Sequence, residues 1–108
     1  MTDKIVVLST CENAEEAESI ARRLLEERLA ACVNIMPAGR SLYRWRGAIE
    51  QAAECLLIIK SRRSLLGRLN AAVERLHSYE TPEILALSVV DGSPAYLSWL
   101  EQELEAGE

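Results

Sequence analysis

The stretch Leu29–Ser61 constrains the fold most, because it holds two long extended runs separated by a turn. The turn falls at Arg46-Gly47, where glycine accepts the positive φ that closes a tight hairpin. Fully extended, residues 31–46 would span about 50 Å at about 3.3 Å per residue. A compact domain of this length has a radius of gyration of only about 13 Å. The hairpin must therefore bend or project from the body, and Pro37 and Gly39 mark the place for a bend or bulge.

Apolar residues at helical spacing predict three amphipathic helices. The first extends from the Asn-x-x-Glu motif at 13–16 to Leu29. The second covers 65–76 and ends at His77-Ser78-Tyr79, and a short C-terminal helix begins at Pro94. The residues predicted to cap these helices are, in order, Asn13, Ser61 or Ser64, and Ser93.

Strands predicted at Lys4–Ser9 and Glu83–Val90 complete the order β-α-β-β-α-β, followed by the final helix. This order is the α+β, ferredoxin-like pattern, here in one domain that takes up the whole chain. Both main helices then cover one face of the sheet. Yet residues 5–8, 56–59 and 84–87 are apolar at consecutive rather than alternate positions, which predicts that the second face is covered too. The chain has too few residues left to cover it, so self-association is the economical inference.

Charge and composition exclude several classes of function. The net charge is −5, and no basic cluster is dense enough to follow a phosphate backbone, so nucleic acid is not an expected partner. The apolar runs are far shorter than the roughly 20 residues of a membrane span, and no signal-peptide pattern opens the chain. The three widely spaced cysteines indicate free thiols in a reducing compartment. Motifs for a phosphate loop, a nucleophile elbow or a zinc peptidase are absent, and we expect no catalysis.

His77 is the only histidine and the first candidate for a metal ligand, because neutral imidazole binds divalent copper. The alternative is that it stabilises the C-terminus of the second helix through the helix dipole. Cys11, at the end of the first strand, is the second candidate ligand, and the alternative for it is a free surface thiol. One thiol and one imidazole do not form a closed site within one chain, so a site shared between subunits is also open.

Five further residues are candidates for lining a binding cleft, and each has a plainer interpretation. Tyr43 and Trp45 share one face of the first hairpin strand, where they either line a ligand pocket or pack in an interface. Lys60 ends an apolar strand and either binds an anion or is solvated. Tyr79 and Glu83 lie near the histidine in sequence, and the carboxylate either binds a metal, supports a metal ligand or is solvated.

Five segments carry a resemblance to a known family. They read A-A-C-V-N-I-M-P at 30–37, S-L-Y-R-W-R-G at 41–47, I-K-S at 59–61, H-S-Y-E-T-P-E-I at 77–84 and Y-L-S-W-L at 96–100. In order and spacing, over nearly the whole chain, they resemble the CutA divalent-cation tolerance family. The resemblance implies a ferredoxin-like subunit in a tight homotrimer, a cytoplasmic location, and binding of copper or other divalent cations.

Two positions depart from the pattern of that family. Ser78 stands where the family commonly has the proline of His-Pro-Tyr, and its loss loosens the turn that orients His77. Ser9 stands where some members place a proposed copper-binding cysteine. Cys11 follows two positions later and shares the face of Ser9 only if the strand continues that far. The resemblance therefore carries the histidine over directly, but not the thiol.

We therefore expect a homotrimer that binds a divalent metal, with copper the expected ion, and contributes to metal tolerance. The alternative is a signalling or scaffold module analogous to PII-like trimers, with a small effector in clefts between subunits and Lys60, Arg44 and Arg46 as anion contacts. A hydrolase of the acylphosphatase kind is disfavoured, because residues 9–13 contain no arginine to bind the anion and include Glu12.

Overall fold

The computed structural model describes residues 2–106, in which four strands form one antiparallel sheet in the order β2-β3-β1-β4. This is the predicted ferredoxin-like arrangement. The elements are β1 (Lys4–Cys11), α1 (Ala14–Glu26), β2 (Cys32–Trp45), β3 (Ala48–Arg62), a 3-10 turn (Arg63–Leu65), α2 (Leu66–Leu76), β4 (Leu85–Ser88) and α3 (Pro94–Glu103).

The core lies between α1, α2 and one face of the sheet. Along β1, Val7 is fully buried and its neighbours alternate with it in exposure, as expected for a strand with one covered face. Each large aliphatic side chain buried in this way contributes about 1.5 to 3 kcal/mol of transfer free energy. The fully or nearly fully buried aliphatic residues include Ile20, Leu24, Leu29, Leu57, Ile59, Leu65, Leu69 and Val73.

Helix α1 begins as predicted, but it ends earlier. The side chain of Asn13 accepts a hydrogen bond from the backbone N–H of Glu16 at 2.9 Å, which confirms the cap. The helix stops at Glu26 because Arg28 adopts a positive φ of 56° and turns the chain. Leu29 was therefore wrongly placed in the helix, although it is still buried in the core.

The predicted cap of α2 is wrong, whereas that of α3 is confirmed. A 3-10 turn leads into α2, and its N-terminus has no side-chain cap. The Ser61 hydroxyl instead donates to the Leu29 carbonyl at 2.7 Å inside the core. The Ser93 hydroxyl accepts from the backbone N–H of Tyr96 at 3.2 Å, with Pro94 at the start of the helix.

The hairpin of β2 and β3 both bends and projects. Arg46 (φ 50°) and Gly47 (φ 83°) form its two-residue turn. The β2–β3 register shifts between Met36 and Gly39, which places the bulge where it was predicted. The longest dimension of the subunit is 44 Å against 24 to 26 Å for the other two, so the hairpin extends away from the body.

The second face of the sheet is only partly covered. Strand β4 is shorter than predicted, since its pairing with β1 is limited to residues 85–88. On this face Met36, Leu85 and Leu87 are each more than half exposed. Helix α3 covers one end, where Glu101 contacts both Lys4 and Arg62. We call the uncovered remainder, which includes Met36, Leu85 and Leu87, the open sheet face.

Candidate functional site

His77 lies where the sequence predicts it, at the C-terminus of α2, and its backbone N–H donates to the Val73 carbonyl at 2.9 Å. The side chain is largely buried, with 9% of its surface exposed. Its Nε2 lies 2.7 Å from the Thr10 carbonyl oxygen, and its Nδ1 accepts from the backbone N–H of Tyr79 at 3.0 Å. These contacts assign the neutral ring with its proton on Nε2, and both nitrogens are in use.

Cys11 is the last residue of β1, so the strand does reach it and the residue shares the helix-facing side with Ser9. The thiol is fully buried, which makes the alternative of a free surface thiol wrong. Burial is the main cause that raises the pKa of Cys11 to about 12, and the Glu16 carboxylate, the Cys55 thiol and the Glu54 carboxylate contribute to the same shift. The sulfur is therefore a protonated thiol at neutral pH.

Cys11, Glu16 and His77 converge. The sulfur, a carboxylate oxygen and a ring nitrogen all lie within 4.8 Å of one another, and no second group of this kind occurs in residues 2–106. We call these three residues the cation cluster. The structure thus brings together the two ligands chosen from the sequence, which come from β1 and from the end of α2.

Glu16 is the member that sequence reasoning missed, because it was assigned only to the helix cap. Its Oε2 accepts from the backbone N–H of Ser78 at 2.8 Å, and its Oε1 accepts from that of Glu12 at 3.3 Å. Partial burial raises the pKa of this carboxyl, but the hydrogen bonds from Ser78 and Glu12 outweigh burial and hold the pKa below its usual value. The sequence could have indicated Glu16 only through its position, because it lies in the first turn of the helix that follows the strand ending at Cys11.

The donor set of the cation cluster suits a transition metal. Thiol sulfur, imidazole nitrogen and carboxylate oxygen are the ligands that proteins use for zinc and copper. A cation must displace existing contacts, however. His77 has to release either the Tyr79 N–H or the Thr10 carbonyl, and Cys11 has to lose its proton. The ligand types of the cluster therefore suit such an ion, but hydrogen bonds within the protein already occupy the His77 nitrogens and the Glu16 carboxylate.

A cleft of about 900 Å³ lies between the hairpin and the segment that follows His77. Four of the five residues chosen from the sequence line it, namely Tyr43, Trp45, Tyr79 and Glu83. The charged side chains that line it are Glu50, Glu54, Glu80, Glu83 and Arg40, so carboxylates predominate.

Tyr79 and Thr10 connect this acidic cleft to the cation cluster. Both line the cleft, and both contact the ring of His77 through backbone atoms. The Tyr79 hydroxyl also donates to Glu54 Oε2 at 2.7 Å. Burial, and then the Glu54 carboxylate, raise the pKa of Tyr79. The cleft thus provides a negatively charged entrance next to the histidine.

The remaining candidate, Lys60, does not line the cleft. It lies on β3 opposite Cys32, and its ammonium donates to the Asn34 side chain. The Arg46 guanidinium lies 5.6 Å from the centroid of the Trp45 ring at the hairpin tip. The structure therefore does not gather the proposed anion contacts at one place.

The sequence profile of the CutA1 divalent ion tolerance protein family matches residues 5–103. The chain belongs to the CutA1 family. It is 45% identical over 97 residues to the divalent-cation tolerance protein CutA of Thermus thermophilus, a match that covers 90% of this chain and 94% of that protein. It is equally identical to mouse protein CutA, of which it spans 55%, and it spans about half of the plant and human relatives too.

Solved CutA structures share the fold over nearly the whole chain. Superposition on CutA from Xylella fastidiosa gives a TM-score of 0.93 at 39% identity, covering 96% of this chain and all of that one. A structure described as the periplasmic divalent cation tolerance protein CutA from Archaeoglobus fulgidus gives 0.91 at 40% identity, covering 94% and 99% of the two chains. In residues 2–106, no helix is long and apolar enough to cross a membrane.

Proposed function

We propose that this chain binds a divalent cation, copper in particular, at the cation cluster and contributes to cation tolerance without catalytic turnover. The observation that carries the proposal is the convergence of Cys11, Glu16 and His77 within 4.8 Å, next to an acidic cleft. Membership of the divalent ion tolerance family supports the same conclusion. The carboxylates of the cleft raise the local concentration of cations, and the cluster supplies the ligands.

Binding has a cost, because the His77 ring must give up one of its two hydrogen bonds. Binding also releases the proton of Cys11, whose pKa is raised to about 12. We therefore expect modest affinity that increases with pH. Calorimetric titration in buffers of different ionisation enthalpy measures the number of protons released per cation, and a value of zero would contradict this account.

Titration of Zn²⁺, which cannot oxidise a thiol, into three variants tests the site. We expect one cation per chain, and a loss of affinity of about tenfold or more in His77→Gln and in Cys11→Ser. Cys32→Ser is the matched control, because this thiol lies on another strand opposite Lys60. Unchanged stoichiometry and affinity in His77→Gln would remove the histidine from the site.

We also propose that the functional form is a homotrimer, with the open sheet face buried between subunits. The exposure of Met36, Leu85 and Leu87 supports this, since contiguous apolar surface of this kind marks an interface. A trimer would extend the cleft with residues of a neighbouring subunit. The PII-like alternative has weaker support, because the cleft is acidic and repels anionic effectors.

The cytoplasm is the location that we propose for this chain. Cys11, Cys32 and Cys55 are all free, as is usual in a reducing compartment. The relative from Archaeoglobus fulgidus is described as periplasmic, so the periplasm is the alternative location to test for this chain. Cell fractionation with a periplasmic marker distinguishes the two compartments.

A further inference from the structure

We propose that Cys11 and Cys55 act together as a two-electron reductant for a thiophilic, oxidising cation, and close a disulfide between β1 and β3. The inference rests on the proposed function, because the cation cluster must bring the cation to Cys11. Beyond that function, the inference adds Cys55, a thiol outside the cluster, and the oxidation of both sulfurs to a disulfide. The substrate class is a one-electron oxidant of the cupric kind.

The pairing of strands carries this proposal. Cys11 lies directly opposite Cys55 in the antiparallel register of β1 and β3. Residues paired in this way have Cα atoms about 4.5 to 5.5 Å apart, within the range of about 4.4 to 6.8 Å that disulfides span. Both thiols are free, and both are buried, with 0% and 5% of the residue surface exposed.

The position of Cys11 allows the small movement that bond formation needs. Opposed Cβ atoms in a sheet lie about 4.5 to 5.5 Å apart, slightly farther than the 3.5 to 4.5 Å or so of a disulfide. Cys11 is the last residue of β1, so it can shift without disturbing pairing beyond it. Cys32 has no such partner, since Lys60 lies opposite it on β3.

The step balances with two cupric ions. Each thiol loses its proton, each sulfur gives one electron to one Cu²⁺, and one S–S bond forms. The products are the Cys11–Cys55 disulfide, two Cu⁺ and two protons. The disulfide takes Cys11 out of the cation cluster, which leaves Glu16 and His77 as poor ligands for the softer cuprous ion. The ion is then released, and the chain acts once until its thiols are reduced again.

Anaerobic titration of the reduced, full-length chain with Cu²⁺ tests the proposal. We expect two Cu⁺ per chain, captured by a cuprous-specific chelator, and loss of two of the three thiols. Each cysteine lies on its own tryptic peptide, at 5–22, 29–40 and 47–60. Mass spectrometry should therefore find peptides 5–22 and 47–60 linked. This readout needs no variant, so it stands even if a cysteine substitution impairs folding.

Three controls test whether the disulfide joins Cys11 to Cys55 and whether it requires a cation that accepts an electron. Cys32→Ser should still yield two Cu⁺ and the same linked peptides, whereas Cys55→Ser should lose the link and at least half of the Cu⁺. Zn²⁺, which cannot accept an electron, should bind and leave every thiol free. A persistent cupric electron paramagnetic resonance signal with three titratable thiols, or a link through Cys32, would overturn the proposal. If Zn²⁺ binds normally in that case, the proposed function survives, and if Zn²⁺ also fails to bind, both fail.

Discussion

At the residue scale, the contacts of His77 and Glu16 explain how a short turn is held over the end of β1. The ring of His77 joins the Thr10 carbonyl to the Tyr79 N–H. The Glu16 carboxylate holds the same turn from α1 through the Ser78 N–H. Ser78 can make this contact because it has a backbone N–H, which a proline at the same position would lack.

We expect Glu16→Gln to lower the free energy of unfolding by about 1 kcal/mol more than Glu15→Gln does, because hydrogen bonds to a charged acceptor are the stronger ones. Glu15 is the matched control, since it is exposed in the same helical turn. Urea denaturation at pH 7 gives both values. Equal losses would mean that the Ser78 contact contributes nothing.

The loss of stability in Glu16→Gln should also depend on pH. The pKa of Glu16 is lowered in the folded state, so its ionised form stabilises the fold above the unfolded pKa of about 4.3. That stabilisation is lost as pH falls through the lower, folded pKa. The difference between the wild type and Glu16→Gln should therefore be full at pH 7 and shrink below pH 4 or so. A difference that grows toward acid would contradict the assigned direction.

At the element scale, Gly39 explains the bulge of the hairpin, and Gly67 in α2 is a glycine without such a constraint. A Cβ at Gly39 would lie 2.8 Å from the Glu54 carbonyl oxygen of the paired strand, so the bulge requires the absence of a side chain. A Cβ at Gly67, at the start of α2, would meet nothing within 4 Å.

We expect Gly39→Ala to destabilise the fold by about 1 to 3 kcal/mol through overpacking. Gly67→Ala should instead stabilise it by as much as about 1 kcal/mol, since alanine is the better helix former. Thermal unfolding of the two variants measures the opposite signs. A Gly39→Ala protein as stable as the wild type would show that the bulge relaxes freely.

A second element, α3, is attached to the sheet by ion pairs between side chains. Glu101 lies 2.7 Å from the Lys4 ammonium and 2.5 Å from the Arg62 guanidinium, both largely buried. Burial lowers the pKa of Lys4, but Asp3 and Glu101 outweigh it and raise the pKa. Hydrogen bonds from Lys4 and Arg62 lower the pKa of Glu101.

We expect Glu101→Gln to cost about 1 to 3 kcal/mol, because it leaves buried cations without their full set of partners. Glu103→Gln is the control, since its ion pair with Arg28 is long, at 4.0 Å. Hydrogen exchange of the α3 amides should increase in Glu101→Gln alone. Unchanged protection there would mean that apolar packing attaches the helix.

At the scale of the whole molecule, the subunit leaves apolar surface that its own elements do not cover. The hairpin extends to a length of 44 Å, and the open sheet face keeps leucines on β4 exposed. Both features agree with the proposal that the chain functions as a trimer.

We expect the wild type to sediment at three times the chain mass of 12.0 kDa. Leu87→Lys should shift it to smaller species, because the charge would be buried at the interface. Leu25→Lys is the control, an exposed leucine on α1 rather than on the open sheet face. A wild type that sediments as a monomer at micromolar concentration would contradict the proposed assembly.

The order of elements, the hairpin turn at Arg46-Gly47 and its bulge were predictable from the amino-acid order. Apolar periodicity and the backbone preferences of glycine act over a few residues, so they can be read without knowing the fold. Where the prediction failed, as at the start of α2, a longer-range contact had intervened. Ser61 donates to Leu29 rather than capping the helix.

The candidate site depended on packing. Cys11 and His77 were visible as candidates, but the addition of Glu16 and the pairing of Cys11 with Cys55 were not. These four residues come from β1, α1, β3 and the end of α2, and the most distant two, Cys11 and His77, are 66 positions apart along the chain. Short-range patterns carry no information about such distances. The burial of Cys11 and the hydrogen bonds on both His77 nitrogens likewise arise only when the helices pack against the sheet.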